Sequence, residues 1–190
     1  MVDFCRTEDI KQGAKVLGIM LKESKSTVVL TGAGMDTESN IPDFRGSYGL
    51  WKKINPMLVA SIDNFYDNYQ LLHEFFSARI KQLEYVKPHE GHYILADMEK
   101  SRIIKSIATQ NVSGLHRMAG SERVYELHGN LKKIICNDCR REASIEDFLN
   151  KRKCKFCGDL LRPAVVLFGE MLPRDIWALA KDDILECDLL

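Results

Sequence analysis

A β-branched run, Thr27-Val28-Val29-Leu30-Thr31, passes directly into Gly32-Ala33-Gly34. This junction constrains the chain more than any other feature. The run reads as a strand, the glycines as a tight turn, and the residues after them as the start of a helix, the opening of a mostly parallel α/β sheet. Further short strands are expected at 103–109, 124–127, 132–135 and 165–168, with helical apolar spacing at about 64–84, 90–100 and 173–184. Upstream, Ile10, Ala14, Leu17 and Leu21 recur at helical spacing, and Thr7 is placed to cap that helix.

Two stretches interrupt the alternation. Residues 43–87 are rich in aromatics and amphipathic helix, and the segment around 136–158 carries cysteines among basic and polar residues. Both read as insertions that together form a smaller module beside the sheet. The final helix runs into Glu186-Cys187-Asp188-Leu189-Leu190, which resembles the first residues of another buried strand, so the chain is expected to be a fragment or truncated product of a longer protein.

Composition excludes several classes. Lys+Arg and Asp+Glu both number 27, an even balance that argues against a nucleic-acid binder and against attachment to an acidic membrane surface. With 45% hydrophobic and 28% charged residues the chain is not disordered. No apolar run approaches the roughly 18 residues of a membrane span, and the N-terminal sequence is not of signal-peptide type. A cytoplasmic protein is expected.

Four of the six cysteines form two pairs, Cys136-x2-Cys139 and Cys154-x2-Cys157, separated by 14 residues. Each pair can sit on a tight turn with both sulfurs facing one centre, and two such turns complete a tetrahedral site for one zinc ion. Four thiolates leave no open position for an activated water, so the expected zinc is structural. Cys5 and Cys187 read as a surface and a core residue.

The glycine turn is a weak phosphate signal by itself. Position 37 is threonine, so there is no GxGxxG, and there is no GK[ST]. The wider pattern is specific. TGAG, then ESNIPDFRG, then GLW, resembles the opening signature of the sirtuins, the NAD-dependent protein deacylases. Thr109-Gln110-Asn111 with Gly114-Leu115-His116, then Glu126-Leu127-His128-Gly129, then Phe168-Gly169-Glu170 agree in order and spacing, with the cysteine pairs between the last two.

The resemblance implies a Rossmann-like parallel sheet with helices on both faces plus a small zinc-ribbon and helical module. The NAD-binding domain would comprise residues 1–42, 88–134 and 160–190, C-terminally incomplete. A cofactor-loop insertion at 43–87 and a zinc ribbon at 135–159 would form the small domain. Five histidines divide on the same basis. His73 and His89, in polar contexts, are expected to be solvated; His92 and His116 match positions that bond backbone near the site. His128, at a strand end, would be the general base.

The implied reaction removes acetyl or other acyl groups from protein lysine, consuming NAD and releasing nicotinamide and O-acyl-ADP-ribose. Asn111 and Gln110 would orient ribose and nicotinamide. Gly32, Ala33, Gly34, Asp36, Thr37, Asp43, Phe44, Arg45 and Ser113 would complete the cofactor site, with Phe44 covering the reactive ribose. Val166, Phe168 and Gly169 would border the acyl-lysine, their extended edge able to pair with substrate backbone. Phe76 and Arg79 occupy positions where some sirtuins carry a Tyr-x-x-Arg pair for acidic acyl groups; Arg79 also reads as a solvent-facing residue of an amphipathic helix.

Asp36 stands where the family usually has serine. A carboxylate about 5 Å from a pyrophosphate would cost roughly 3 kcal/mol at an effective dielectric near 20, unless the side chain turns away to cap the following helix. Ser113 stands where the family has the aspartate that holds the nicotinamide amide, and Asp36 could take over part of that role. The sirtuin C-terminal segments for adenine and its ribose are not in the sequence. These departures keep open a catalytically weakened module that binds NAD or acyl-lysine; a mono-ADP-ribosyltransferase is a further alternative, since another nucleophile could capture the same activated ribose, though His128 favours deacylation.

Overall fold

The computed structural model describes residues 9–47 and 49–190. Helix α1 spans Ile10–Glu23, its first turn capped by the Asp9 carboxylate, which accepts from the N–H groups of Lys11 and Gln12. The expected cap Thr7 and the cysteine at position 5 lie outside the described residues. Strand β1 (Val28–Thr31) ends at Gly32, and the residues after it wind as a 3-10 helix, Ala33–Ser39, closed by Asn40 in the left-handed conformation at φ 62°. A short 3-10 turn, Leu50–Lys52, and helix α2 (Pro56–Val59) precede helix α3 (Tyr69–Leu83). Helix α4 (Glu90–Lys100) leads into strand β2 (Ser106–Thr109), followed by helix α5 (Leu115–Met118) and strand β3 (Val124–Glu126).

Strands β1, β2 and β3 form a parallel sheet in that order. Every residue of β2 is buried, as a central strand covered on both faces must be. Helix α7 (Arg174–Glu186) covers one face, where Ala108, Tyr125, Leu127 and Ala180 pack together. Its Asp183 accepts hydrogen bonds from Tyr125 Oη (2.8 Å) and Arg123 Nη2 (3.0 Å), pinning the helix to β3. Beyond α7, Leu189 bridges in parallel to Thr27, alongside β1.

The remaining strands run antiparallel. Strand β4 (Gly129–Cys136) is flanked by β5 (Glu142–Ala143) and β6 (Leu161–Val165), with helix α6 (Ile145–Leu149) packed against it. The strand expected at 165–168 therefore lies earlier, at Leu161–Val165. Arg162 and Pro163 break the apolar pattern there, yet Arg162 is satisfied by hydrogen bonds and Pro163 sits at the register irregularity between β4 and β6, where a missing N–H is tolerated. The helix expected from 64 begins at Tyr69, because Phe65 turns inward with its ring edge-on to Tyr66 and Tyr69. One continuous core joins Phe65, Leu72, Phe76 and Ile80 to Ile134, Cys136, Phe148, Cys154 and Leu161, so the aromatic insertion and the cysteine segment share their interior.

Candidate functional site

Each parallel strand delivers a candidate residue at its carboxyl end, the edge where α/β sheets place their chemistry. The glycine turn follows β1, Gln110 and Asn111 follow β2, and His128 follows β3. All three edges open onto one cleft of about 600 Å³, the size of a cofactor site. Ala33, Gly34, Asp43, Phe44, Arg45, Gln110, Asn111 and His128 line it, together with Phe76, Arg79, Val166, Phe168 and Gly169. Gly32 and Thr37 do not; the Thr37 hydroxyl instead donates to the Gly34 carbonyl at 2.8 Å. Asp36 and Ser113 line a smaller recess at the inner end of the cleft.

His128 sits at the seam between the sheets. Its Nδ1 lies 3.0 Å from the Gln110 carbonyl oxygen. A carbonyl can only accept, so Nδ1 carries the proton of the neutral ring and Nε2 is left as the basic nitrogen. The His128 carbonyl accepts from the Val166 N–H, and the Leu127 N–H donates to the Thr109 carbonyl, both at 2.9 Å. His128 is thereby tied to β2 on one side and to the 166–170 loop on the other.

The insertion at 43–87 supplies an aromatic wall. Phe44 stacks on Trp51 with centroids 4.9 Å apart; Trp51 in turn meets Phe75 and, edge-on, Phe168. Trp51 and Phe75 line the cleft although sequence reading assigned them no role; the signals were the GLW segment that ends in Trp51 and the aromatic density of the insertion. Arg79 does not face solvent: it lies over the Phe44 ring at 6.0 Å and lines the cleft. Burial pulls its guanidinium below its ordinary pKa, with Asp36 pushing the other way.

Beneath the cleft lies a buried polar network. Asp36 neither caps a helix nor opens to solvent; its Oδ1 lies 3.2 Å from Nε2 of wholly buried His92. His116 Nε2 meets Thr31 Oγ1 at 3.0 Å, and that hydroxyl donates to Thr109 Oγ1 at 2.8 Å. His92 and His116 thus bond side chains rather than backbone, their rings 4.9 Å apart. Burial first, then the neighbouring His92, pulls the His116 pKa down to about 4. His89 is not simply solvated, since its Nε2 donates to the Met35 carbonyl while its Nδ1 accepts from the Gly91 N–H. His73 is buried, with Nε2 2.7 Å from the Phe148 carbonyl.

The four cysteine sulfurs at 136, 139, 154 and 157 lie within 4.8 Å of one another. Cys136 and Cys157 are 3.3 Å apart and Cys139 and Cys154 3.6 Å. A zinc ion with Zn–S bonds of about 2.3 Å spaces its sulfurs by roughly 3.8 Å, so the set fits one tetrahedral zinc. The thiols are unpaired by disulfides. Burial pushes the Cys136 thiol up to about 12, while the backbone N–H groups of Cys157 and Phe156 hold Cys154 down to about 6. Cys187 is half-buried and donates to the Ile184 carbonyl.

Fold and site together define an α/β protein with a cleft at the carboxyl ends of parallel strands, beside a tetrathiolate zinc module. A family model described as the Sir2 family matches residues 32–190. An NAD-dependent protein deacetylase of Oceanobacillus iheyensis is 45% identical over 170 residues, covering 89% of this chain and 72% of that protein. NAD-dependent protein deacylase 2 of Archaeoglobus fulgidus is 41% identical over 189 residues, 95% of this chain and 72% of that one. Among solved structures, a Sir2 protein with a deacetylated peptide and 3'-O-acetyl ADP ribose matches with TM-score 0.85 and 37% identity, over 91% of this chain and 72% of the other. Sir2Tm bound to a propionylated peptide matches with TM-score 0.80 and 35% identity, over 91% and 71%. The chain belongs to the Sir2 family.

Proposed function

We propose that the protein removes acetyl and related acyl groups from lysine side chains of proteins or peptides, consuming NAD and one water and releasing free lysine, nicotinamide and O-acyl-ADP-ribose, the water entering only after nicotinamide has left. The observation that carries this reading is the convergence of His128, Asn111 and the glycine turn at three adjacent parallel strand ends around one cleft. NAD supplies a glycosidic bond weak enough for the acyl oxygen of the substrate to displace nicotinamide. Ala33, Gly34, Asp43, Phe44 and Arg45 hold the dinucleotide on the glycine-turn side, and Gln110 and Asn111 orient it from the loop after β2. His128, basic at Nε2, takes a proton from the ribose hydroxyls. Phe44, stacked on Trp51, excludes water over the reacting ribose. Val166, Phe168 and Gly169 border the acyl-lysine, and the aliphatic and aromatic side chains around them favour its uncharged arm. Cys136, Cys139, Cys154 and Cys157 would hold a zinc ion that braces the cysteine module, and with four thiolate ligands it would leave no open position for substrate or water. Among the described residues no helix is long and apolar enough to cross a membrane; two CxxC pairs arranged as metal ligands fit a reducing, cytoplasmic setting.

The test is nicotinamide release from NAD with and without an acetyl-lysine peptide, together with mass-spectrometric detection of O-acetyl-ADP-ribose. Peptide-dependent release that His128→Ala lowers by at least 100-fold is expected. Release without deacylated peptide, or with ADP-ribose retained on protein, would refute the reading.

A further inference from the structure

Thr109 is the last residue of β2, 2% exposed and outside the lining of the cleft. Its hydroxyl oxygen accepts two hydrogen bonds, from Thr31 Oγ1 at 2.8 Å and from the backbone N–H of Asn111 at 3.0 Å. Thr31 has one hydroxyl hydrogen and gives it to Thr109, so in its 3.0 Å contact with His116 the ring Nε2 is the donor. Three buried side chains, His116, Thr31 and Thr109, thus form a line that ends on the Asn111 amide. The Asn111 N–H and the Gln110 carbonyl belong to one trans peptide unit. Such a unit is planar and points its N–H and C=O in opposite directions, so holding one end holds the other. The Gln110 carbonyl is the group 3.0 Å from His128 Nδ1. On its other flank the Gln110 N–H donates to the Thr31 carbonyl at 3.0 Å. Both amides around Gln110 are therefore anchored to the end of β1, one directly and one through the Thr109 hydroxyl.

We infer that Thr109 is a positioning residue: its hydroxyl fixes the Gln110–Asn111 peptide, and that carbonyl keeps the His128 ring turned with Nε2 free to act as base. The inference rests on the proposed function for the work of His128, but the alignment itself belongs to the resting protein. Which ring nitrogen carries the proton is set by the hydrogen bond the ring makes. The His128 backbone is already held through the Val166 N–H, so rotation of the ring is the freedom that remains, and the Gln110 carbonyl is what restrains it. Thr109→Val keeps the side-chain shape and removes the acceptor. The Asn111 N–H is then buried without a partner, and turning the peptide to relieve it carries the Gln110 carbonyl away from His128.

The experiment uses the purified full chain, isotope-labelled in histidine, with the His128 signal assigned by its absence from His128→Gln. NMR should show the neutral His128 ring of wild type protonated at Nδ1. In Thr109→Val the Nε2-protonated form should become comparably populated, and the Asn111 amide should exchange about tenfold faster or more. At saturating NAD and acetyl-lysine peptide, kcat should fall about tenfold with each KM within about threefold, part of the roughly 10²–10⁴-fold that a positioned base contributes. Thr109→Ser retains the oxygen and should restore the wild-type tautomer, amide exchange and kcat. Thr31→Val cuts the hydroxyl pair from the other side but leaves Thr109 Oγ1 to accept from Asn111, and should keep the wild-type tautomer. Wild-type His128 protonated at Nε2 would overturn the inference without any variant. So would an unchanged tautomer in folded Thr109→Val, an equal shift in Thr31→Val, or no recovery in Thr109→Ser. The tautomer is read without turnover, so it holds or fails independently of the proposed function, which peptide-dependent nicotinamide release by wild type tests separately.

Discussion

The 166–170 loop is fastened to the cysteine module by a buried ion pair, and cutting it in two ways gives a quantitative test. Arg162 is 1% exposed; its Nε donates to Asn137 Oδ1, its Nη1 to the Val165 carbonyl, and its Nη2 to Glu170 Oε1 at 2.5 Å. Glu170 uses its other oxygen to accept the Leu167 N–H, and Arg140 approaches it at 3.2 Å from the solvent side. Burial pulls the Arg162 guanidinium below its ordinary pKa, and Glu170 works against that pull. Breaking a buried pair on one side leaves the other charge uncompensated, about 3–5 kcal/mol. Arg140 still screens Glu170, so Arg162→Met should cost about 3 kcal/mol, the low end of that range. Glu170→Gln strands Arg162 and should cost a similar amount. The double variant strands neither charge and should cost about 3 kcal/mol, not about 6, a coupling of roughly 3 kcal/mol.

Urea unfolding at neutral pH with zinc held constant measures all four corners of the cycle. Loosening this clamp frees residues that line the cleft, so Glu170→Gln should raise KM for acyl peptide several-fold while leaving that for NAD within twofold. Additivity of the two substitutions within about 0.5 kcal/mol, the ordinary error for independent sites, would refute the coupling. An unchanged peptide KM would refute its functional consequence.

Two further outcomes are expected. Each single Cys→Ser change at 136, 139, 154 or 157, or removal of zinc by chelation, should reduce metal content from one ion per chain to near zero and lower the melting temperature sharply, because Cys136 and Cys154 belong to the shared core; retention of full stability without metal would contradict a structural role. The second concerns acid. His116, near 4 in the folded state against 6.5 unfolded, takes up its proton more readily when unfolded, so its contribution is absent above about pH 7 and becomes destabilising as pH falls from 6.5 to 4, reaching roughly 3 kcal/mol. His116→Gln should lose correspondingly less stability than wild type over that window, and equal losses in urea unfolding would show that His116 is not the group responsible.

Local pattern made part of the fold legible in the sequence. Ser106 to Thr109 read as a strand because burial on both faces leaves an unbroken apolar or small-residue run, whereas Val28 to Thr31 read as one from its β-branched residues, with Leu30 left half exposed. The cysteine set read correctly because a CxxC turn fixes two ligands within four residues. Other features depend on partners distant in sequence. Arg162 hid a strand because its compensation is Glu170 and Asn137, and nothing in its own neighbourhood marks it as buried. His73 looked solvated among Gln70, Glu74 and Ser77, yet its partner carbonyl belongs to Phe148, 75 residues on. The two-residue β5 offers too little periodicity to register. Asp36 is the most instructive: as a lone residue in a glycine turn it looked like a penalty against phosphate, and only the folded arrangement with His92 and Asn111 shows it turned into a separate recess.

Gly129 ties the sheet junction to His128, the residue proposed as general base. It follows His128 directly and starts β4, so it is the point where the chain leaves the parallel sheet for the antiparallel one. Its φ is +80°, in the left-handed region, and a Cβ there would lie 1.9 Å from the Ala164 carbonyl oxygen. That neighbour is backbone of β6 and has no side-chain freedom with which to yield. Gly129→Ala must therefore separate β4 from β6 or rotate the peptide that carries His128. Either motion disturbs the bond between the His128 carbonyl and the Val166 N–H and the contact of Nδ1 with Gln110. Backbone strain adds about 1–2 kcal/mol to the steric cost. The expected result is a destabilised protein whose turnover falls at least tenfold even at temperatures where it stays folded. Gly114→Ala, also at positive φ but meeting only the movable Asn130 side chain at 3.2 Å, is the control. Should both variants lose turnover equally at equal folded fraction, the effect at 129 would be general strain, and the sheet junction would not be what orients the base.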